Sequence, residues 1–329
     1  MGMNELKTYA IEAYYHSRKP VIGFFAGLTA VWGIFNSLIP TETGWYCLSV
    51  LAVIGILYAI LKFSILLRQI VNGKMTVPFW GKSRITLVRN DFQNNMDHLL
   101  HVLDSQELES FAFVMGIDKT GRLDISSESG VVHSVLQYLN ENYKCEDKKP
   151  QDYIQKVVNA YLADSSHQDE YGQIAYGKCV EVRLLLTPIN NTGNSIGIPC
   201  NLVLVANSRK KFPGEEQLKE TMLDDDQSNI IVPKVFDYLF DSKKYKGAMM
   251  GAMGTNQMGQ SYQVVFSQII NQFARILHND KDNKCVLQNL YISIREVDYR
   301  RSTTLSNLVK YVRECTSFYT KQDYSESTI

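Results

Sequence analysis

The chain has no charge excess: 34 basic and 34 acidic side chains among 329 residues leave a formal net charge of +0. A protein that grips duplex nucleic acid through its phosphates needs a basic surplus, so no nucleic-acid partner is expected. Cysteine is scarce and scattered. Cys47, Cys145, Cys179, Cys200, Cys285 and Cys315 form no CxxC pair and stand beside no clustered histidines. That spacing excludes a disulfide frame and a zinc site and points to reduced thiols in a cytosolic domain. No GxxxxGK[ST] occurs, which excludes the magnesium-bound phosphate cradle of the P-loop nucleotidases.

Charge is also missing locally. None occurs from Pro20 to Thr41 (PVIGFFAGLTAVWGIFNSLIPT), and none again from Thr43 to Leu61 (TGWYCLSVLAVIGILYAIL). Each run is about long enough to cross a hydrocarbon core of roughly 30 Å as a helix. Only a short loop with Glu42 separates them, so the pair reads as a two-helix transmembrane hairpin over residues 20–67. Lys7, Arg18 and Lys19 precede it and Lys62, Arg68 and Lys74 follow, which places both termini in the cytoplasm. Trp45 and Tyr46 suit an interfacial belt, and Lys62 can snorkel to the headgroups. A cleaved signal peptide would be shorter and would not be followed directly by a second span. Residues 1–19 are then a cytoplasmic segment, 68–82 a juxtamembrane linker ended by Gly73, Pro78 and Gly81, and 317–329 a tail.

Residues 83–316 alternate strand and helix signals. Strands are expected at 84–90, 111–117, 179–188, 201–208, 245–254 and 285–296, with helices at 131–143, 150–164, 230–241, 261–278 and 304–315. This alternation predicts an α/β domain with helices on both faces of a mixed sheet. Ligands in such folds gather at the carboxyl ends of the strands.

Two glycine-bearing loops fall at such ends. GAMMGAMGTNQMGQSYQVVF begins at Gly247 and carries Gly251, Gly254 and Gly259 ahead of a helix with Ser261 as N-cap. Val265, Ile269, Phe273 and Leu277 give that helix its buried face. VMGIDKTGRLDISSESGVVHSVLQYL, residues 114–139, repeats the plan, with Ser127, Ser129 and Gly130 ahead of its helix. A glycine turn at a helix N-terminus suits an anion such as phosphate, though a tight strand-to-helix turn needs the same residues. Two such loops on neighbouring strands could clamp a diphosphate.

In the order of these motifs the chain resembles a macro domain, the module that binds ADP-ribose and its derivatives. The resemblance implies a macro-like three-layer α/β/α sandwich. It makes RITLVRNDF the first-strand motif, with Asp91 beside Phe92 bonding the adenine amino group. Ser129, Gly130, Val131 and His133 match the first phosphate loop, with Ser127 just before it. Gly251, Gly254, Thr255, Asn256, Gln257, Met258 and Gly259 fall on the second, which wraps the phosphates and distal ribose. Asp118 falls near that ribose, and Tyr299 after the last strand could stack on adenine. Asp91 also has a plain reading as a turn cap, His133 as a structural histidine, and Tyr299 as surface. Met115, Gly116, Ile117 and Asp118 stand where many macro hydrolases carry an asparagine-rich turn, and Gln260 replaces the usual proline. Both departures favour binding without turnover, with no cofactor and no catalytic residue.

A hairpin joined to an ADP-ribose module resembles the effector of type II Thoeris anti-phage systems, in which a TIR-domain enzyme makes an ADP-ribose-derived signal. The resemblance implies a bacterial inner-membrane receptor that binds such a derivative (for example histidine-ADP-ribose), forms a ligand-driven homo-oligomer and disrupts the lipid bilayer. Gly23, Gly27, Ala30 and Gly33 would let the first span pack closely, or are ordinary bilayer composition. A membrane-tethered ADP-ribosyl hydrolase and a membrane anchor with a degenerate pocket are the alternatives.

Overall fold

The computed structural model describes residues 21–30, 41–71, 73–79, 83–123, 130–189, 197–208, 225–251, 262–279, 287–294 and 311–314, with isolated positions among the first 33 residues and at 317. It divides into two units, Met1–Met75 and Thr76–Ile329.

In the first unit residues 21–30 are helical, and α1 runs from Thr41 to Val71, ending just before Gly73 and so taking in the start of the stretch expected as linker. The two helices meet through rings. Phe24 stacks on Tyr58 with centroids 4.3 Å apart, and Lys62 Nζ lies 5.8 Å from the same ring. A Cβ on Gly55 would collide with the ring of Phe25, so the glycine lets the helices approach closely. Much of the apolar surface points outward: Val50, Val53, Ile56, Leu57, Ile60 and Leu61 are each more than half exposed. Among the described residues no helix is long and apolar enough to cross a membrane.

The second unit is built on strands whose side chains alternate between two covered faces. Eight strands form one sheet in the order β1-β2-β8-β7-β3-β6-β5-β4. They are β1 Lys74–Pro78, β2 Arg84–Arg89, β3 Phe111–Asp118, β4 Tyr143–Lys144, β5 Cys179–Pro188, β6 Ile198–Ser208, β7 Gly247–Gly251 and β8 Asn289–Ile294. β2, β8, β7, β3 and β6 run parallel to one another, while β5 runs antiparallel to β6, and β4 to β5. The sheet is therefore mixed, and five strands end along one edge. Part of the stretch expected as linker is the edge strand β1, whose Thr76 hydroxyl meets that of Thr86 at 3.1 Å.

One face carries α2 Phe92–Val102, α4 Val131–Asn142 and α5 Pro150–Leu162. Phe92, Met96, Leu99 and Leu100 repeat at helical spacing and enter a core with Phe113, Met115, Leu136, Ile154 and Leu204. The short α3, Ser105–Glu109, is fixed by a reciprocal capping box between Asp104 and Glu107. α6 Asp225–Asp241 and α7 Tyr262–Asn279 pack on each other, and α6 meets β6. Along α7 Val265, Ile269 and Phe273 are buried and Leu277 half-buried, and Phe273 stacks on Phe79 with centroids 5.3 Å apart.

A charged cluster ties α6 to the antiparallel half of the sheet. Glu181 accepts from Tyr238 Oη at 2.7 Å, Arg183 Nε at 2.6 Å and Lys244 Nζ at 3.0 Å. Burial pushes its carboxyl up, but the hydrogen bonds from Tyr238, Arg183 and Lys244 outweigh burial and hold it at about 2. A depressed carboxylate stabilises the fold fully above its unfolded value and loses that contribution as pH falls through the folded one. Glu181→Gln should therefore lower the stability of the full chain by roughly 1–3 kcal/mol at neutral pH. The gap should narrow from pH 4.5 downward and vanish near pH 2. Denaturant midpoints of both chains across that range check this; a gap that stays constant with pH would contradict it.

Candidate functional site at the carboxyl edge of the parallel strands

Five strand ends deliver their following loops to one edge of the sheet, the position at which open α/β folds take ligands. The β2–α2 turn is the best defined part. Asn95 Nδ2 donates to Ser293 Oγ at 2.8 Å and to the Asn90 carbonyl at 3.3 Å, and Ser293 Oγ donates to that carbonyl at 3.1 Å. Asn95 and Ser293 are each 5% exposed, so this is a buried network that pins the turn to the end of β8. Asn90 Oδ1 accepts from the Asp91 N–H at 2.9 Å and from Asn94 Nδ2 at 3.1 Å.

Asp91 occupies the N-cap position of α2, yet its side chain makes no capping bond. The plain turn-cap role is therefore not what its carboxylate does. Asn90 and the buried network hold the backbone instead, and the half-buried Asp91 carboxylate has no partner among the described residues. Phe92 differs from the expectation of a ligand-facing ring. It is 3% exposed and belongs to the core, with Cδ2 3.8 Å from where a Cβ on Gly251 would stand. Its contribution is to the floor beneath the end of β7.

Gly251 is the last residue of β7, paired in register with Ser293. Of the strand expected over 245–254, Gly247–Gly251 is β7, and residues 252–254 lie outside the described residues. Gly130 is the N-cap of α4, with φ 139° and ψ 159°, a conformation essentially reserved for glycine. No side chain caps this helix, and a Cβ at Gly130 would meet nothing within 4 Å. Among the described residues no side chain caps the first-turn N–H groups of α4, and the positive end of the helix dipole lies at that end. Half-buried Val131 opens the helix, and two residues on, His133 Nδ1 is buried without a hydrogen-bond partner.

At the end of β3, Asp118 Oδ1 accepts from the Thr120 N–H at 2.8 Å, and Oδ2 has no partner among the described residues. Lys119 turns the other way, 7% exposed, in an ion pair with Asp169 and 4.3 Å from the Tyr176 ring centroid. Burial raises the Asp169 carboxyl, while Lys119 and the N–H groups of Gln173 and Tyr171 bring it below the ordinary value. This latch holds the turn 168–177, where Gly172 and Gly177 have positive φ, as a glycine-bearing turn ahead of β5 requires.

The structure thus brings Asp91, Asp118, Gly130, Val131 and Gly251 to one edge of the sheet. Ser127, Ser129, Gly254, Thr255, Asn256, Gln257, Met258, Gly259 and Tyr299 lie outside the described residues. Asn95 and Ser293, which fix the β2–α2 turn, are residues that sequence reasoning missed. The signal was a polar or small residue interrupting an apolar strand or an amphipathic helix face. Among the described residues no three His, Cys, Asp or Glu side chains are grouped to hold a metal ion. Burial raises the thiols of Cys145, Cys179 and Cys200, that of Cys179 to about 12, so these free cysteines are unreactive core residues.

Macrodomains are among the solved structures similar to this chain. The Oceanobacillus iheyensis macrodomain with ADP is 9% identical, with 76% of this chain and 97% of that one covered at a TM-score of 0.41. The same organism's macrodomain with MES bound is 9% identical over 76% and 98% at 0.42. The Trypanosoma brucei macrodomain in complex with ADP-ribose is 8% identical over 68% and 67% at 0.38. No protein-family model and no curated protein matches the sequence. Likeness of this degree leaves function to rest on the chain's own residues.

Proposed function

We propose that this protein is a membrane-anchored receptor that binds an ADP-ribose derivative at the carboxyl edge of its parallel strands. The observation that carries this reading is helix α4 behind Gly130, without a side-chain cap among the described residues, at the same edge as the Asp91 carboxylate, which has no partner among them. A helix N-terminus without a side-chain cap is suited to a phosphate, and a carboxylate without a protein partner is suited to an exocyclic amine. Adenine and a diphosphate offer that pair in one molecule.

The membrane part of the proposal rests on the two uncharged runs and on the outward apolar side chains of α1. Gly23, Gly27 and Gly33 have nothing within 4 Å of where a Cβ would stand, which leaves that face of the first helix free for a second copy. In this proposal a TIR-domain enzyme supplies the signal, binding favours an assembled state, and clustered hairpins compromise the bacterial inner membrane in anti-phage defence. A ligand shifts such an equilibrium only by its preference for one state over the other. Ligand is held and not consumed. Met115 to Asp118, in place of an asparagine-rich turn, support that choice over a hydrolase.

Calorimetry of the full chain in detergent, titrated with ADP-ribose and with histidine-ADP-ribose, tests the proposal when the ligand is recovered afterwards. Saturable heat with intact ligand is expected. Cleaved ligand would replace receptor by hydrolase, and no heat with either compound would remove the ligand altogether.

A further inference from the structure

We propose that Ser293 and Asn95 are positioning residues that keep the Asp91 carboxylate off its own helix, and so let the site tell a base with an exocyclic amine from one without. This role rests on the adenine reading of Asp91 proposed above and adds the residues that make its carboxylate available.

Asp91 is placed to cap α2 and does not. Its backbone, at φ −63° and ψ 148°, is extended as an N-cap requires. An aspartate there ordinarily accepts from the N–H of the second or third helical residue, here Gln93 or Asn94. The same chain makes that bond elsewhere. Asp104, at φ −75° and ψ 169°, accepts from the Glu107 N–H at 2.8 Å. Asp164, ahead of the short 3-10 turn Ser165–His167, accepts from the Ser166 N–H at 2.9 Å. Forgoing the cap is a cost to α2, and a ligand amine bound by the free carboxylate offsets it.

The Asn90–Asp91 peptide is held at both of its polar ends. Its N–H, that of Asp91, donates to Asn90 Oδ1 at 2.9 Å. Its carbonyl, that of Asn90, accepts from Ser293 Oγ at 3.1 Å and from Asn95 Nδ2 at 3.3 Å. Asn95 Nδ2 also donates to Ser293 Oγ at 2.8 Å, and the Asn90 N–H donates to the Ile294 carbonyl at 3.0 Å. A peptide is planar, so bonds at both ends fix the plane from which the Asp91 side chain departs. Ser293 and Asn95 act on the carboxylate through that plane.

Fold stability does not by itself call for this network. Ser293 is the polar exception in a strand whose Leu290, Ile292 and Ile294 are buried, and Asn95 lies among the buried residues of α2 with Met96 and Leu99. Replacing two hydrogen-bonded partners by apolar groups of similar shape is nearly neutral. What an apolar pair could not do is hold the Asn90 carbonyl. A carboxylate only accepts, so in its held position it favours an amine. Released, it falls back on the N–H groups of α2, and discrimination is lost while the helix gains a cap.

Calorimetry of the full chain in detergent, with ADP-ribose and with its 6-deamino analogue, tests the assignment. The wild-type chain should prefer ADP-ribose by roughly tenfold or more. Ser293→Ala and Asn95→Ala should each bring the two within about threefold, by weakening ADP-ribose while leaving the deamino analogue at its wild-type affinity. Asp91→Ala should collapse the ratio in the same way. If a single variant does not fold, Asn95→Leu combined with Ser293→Ala makes both positions apolar and carries the same comparison. A preference lost in Asp91→Ala but kept in the Ser293 and Asn95 variants would overturn the positioning role and leave the receptor reading intact. So would an equal loss of both compounds, which marks a general structural lesion, or equal wild-type affinity, in which case the amine is not read. Failure of both compounds to bind the wild-type chain would overturn the receptor reading as well.

Discussion

Gly130→Asp should abolish ADP-ribose binding, with affinity falling by at least about a hundredfold. Two effects add. At φ 139° and ψ 159° any residue with a Cβ is strained by about 1–3 kcal/mol, which pulls the start of α4 out of position. The new carboxylate then stands at the helix N-terminus, where it caps the free N–H groups itself and repels phosphate. Gly130→Ala separates the contributions. The methyl group meets nothing within 4 Å, so alanine carries the strain without the charge and should lose roughly tenfold or less. Titration calorimetry of the three full-length chains reads this order. Wild-type affinity in the aspartate variant would mean that no phosphate sits at that helix.

The second large effect concerns α1. Leu57 and Ile60 are 60% and 57% exposed and one helical turn apart. Replacing both by arginine should release the chain from membranes. A charged residue near the centre of a span costs about 2.5–3.5 kcal/mol on the insertion scale, and the apolar side chain it replaces contributes a few tenths in the other direction. Two such changes, roughly 6 kcal/mol together, outweigh what a hairpin of this length can retain. Carbonate extraction of membranes from cells expressing each chain measures the outcome. Wild type should stay in the pellet and the double variant should not. Val102→Arg, at a 60% exposed position of α2, controls for added charge and should leave partition unchanged. A double variant that resists extraction would show that this part of α1 is not embedded.

Much of the second unit was legible because its strands and helices carry strong periods. Val265, Ile269 and Phe273 repeat along one face of α7, and PQDYIQKVVNAYL opens on a proline at the first helical position, as helices favour. α2 was missed although Phe92, Met96, Leu99 and Leu100 obey the same spacing, because polar Gln93, Asn94 and Asn95 follow its first residue and Asn90-Asp91 reads equally as a turn. β1 was hidden behind Pro78, which reads as a terminator and sits at the end of an edge strand. β4 is two residues long and exists only through its pairing with β5, a tertiary fact with no local signature.

The carboxyl edge was legible as a place where glycines and lone acids gather, with Gly251, Asp91 and Asp118 at strand ends and Gly130 at a helix start. It was illegible where a role depends on register. Ser293 bonds Asn90 only because β8 lies beside β2. That pairing is not written in spacing along the chain. Phe92 shows the converse, since a motif placed it at a ligand and packing placed it in the core.

The neighbour relation of β2 and β8 also sets the order in which the domain can be completed. The bond from Ser293 to the Asn90 carbonyl spans 203 residues. Both neighbours of β8 await it, since β2 pairs with it along one side and β7 along the other. Until residues 289–294 leave the ribosome, β2 has no parallel partner and the Asn95–Ser293 network is absent. Contacts of such separation make folding slow, because the loop must close before any pairing rewards it. The uncharged runs before residue 62 emerge long before that point. In synthesis, then, the apolar segments emerge first, and the pairing that closes the carboxyl edge of the parallel strands comes late.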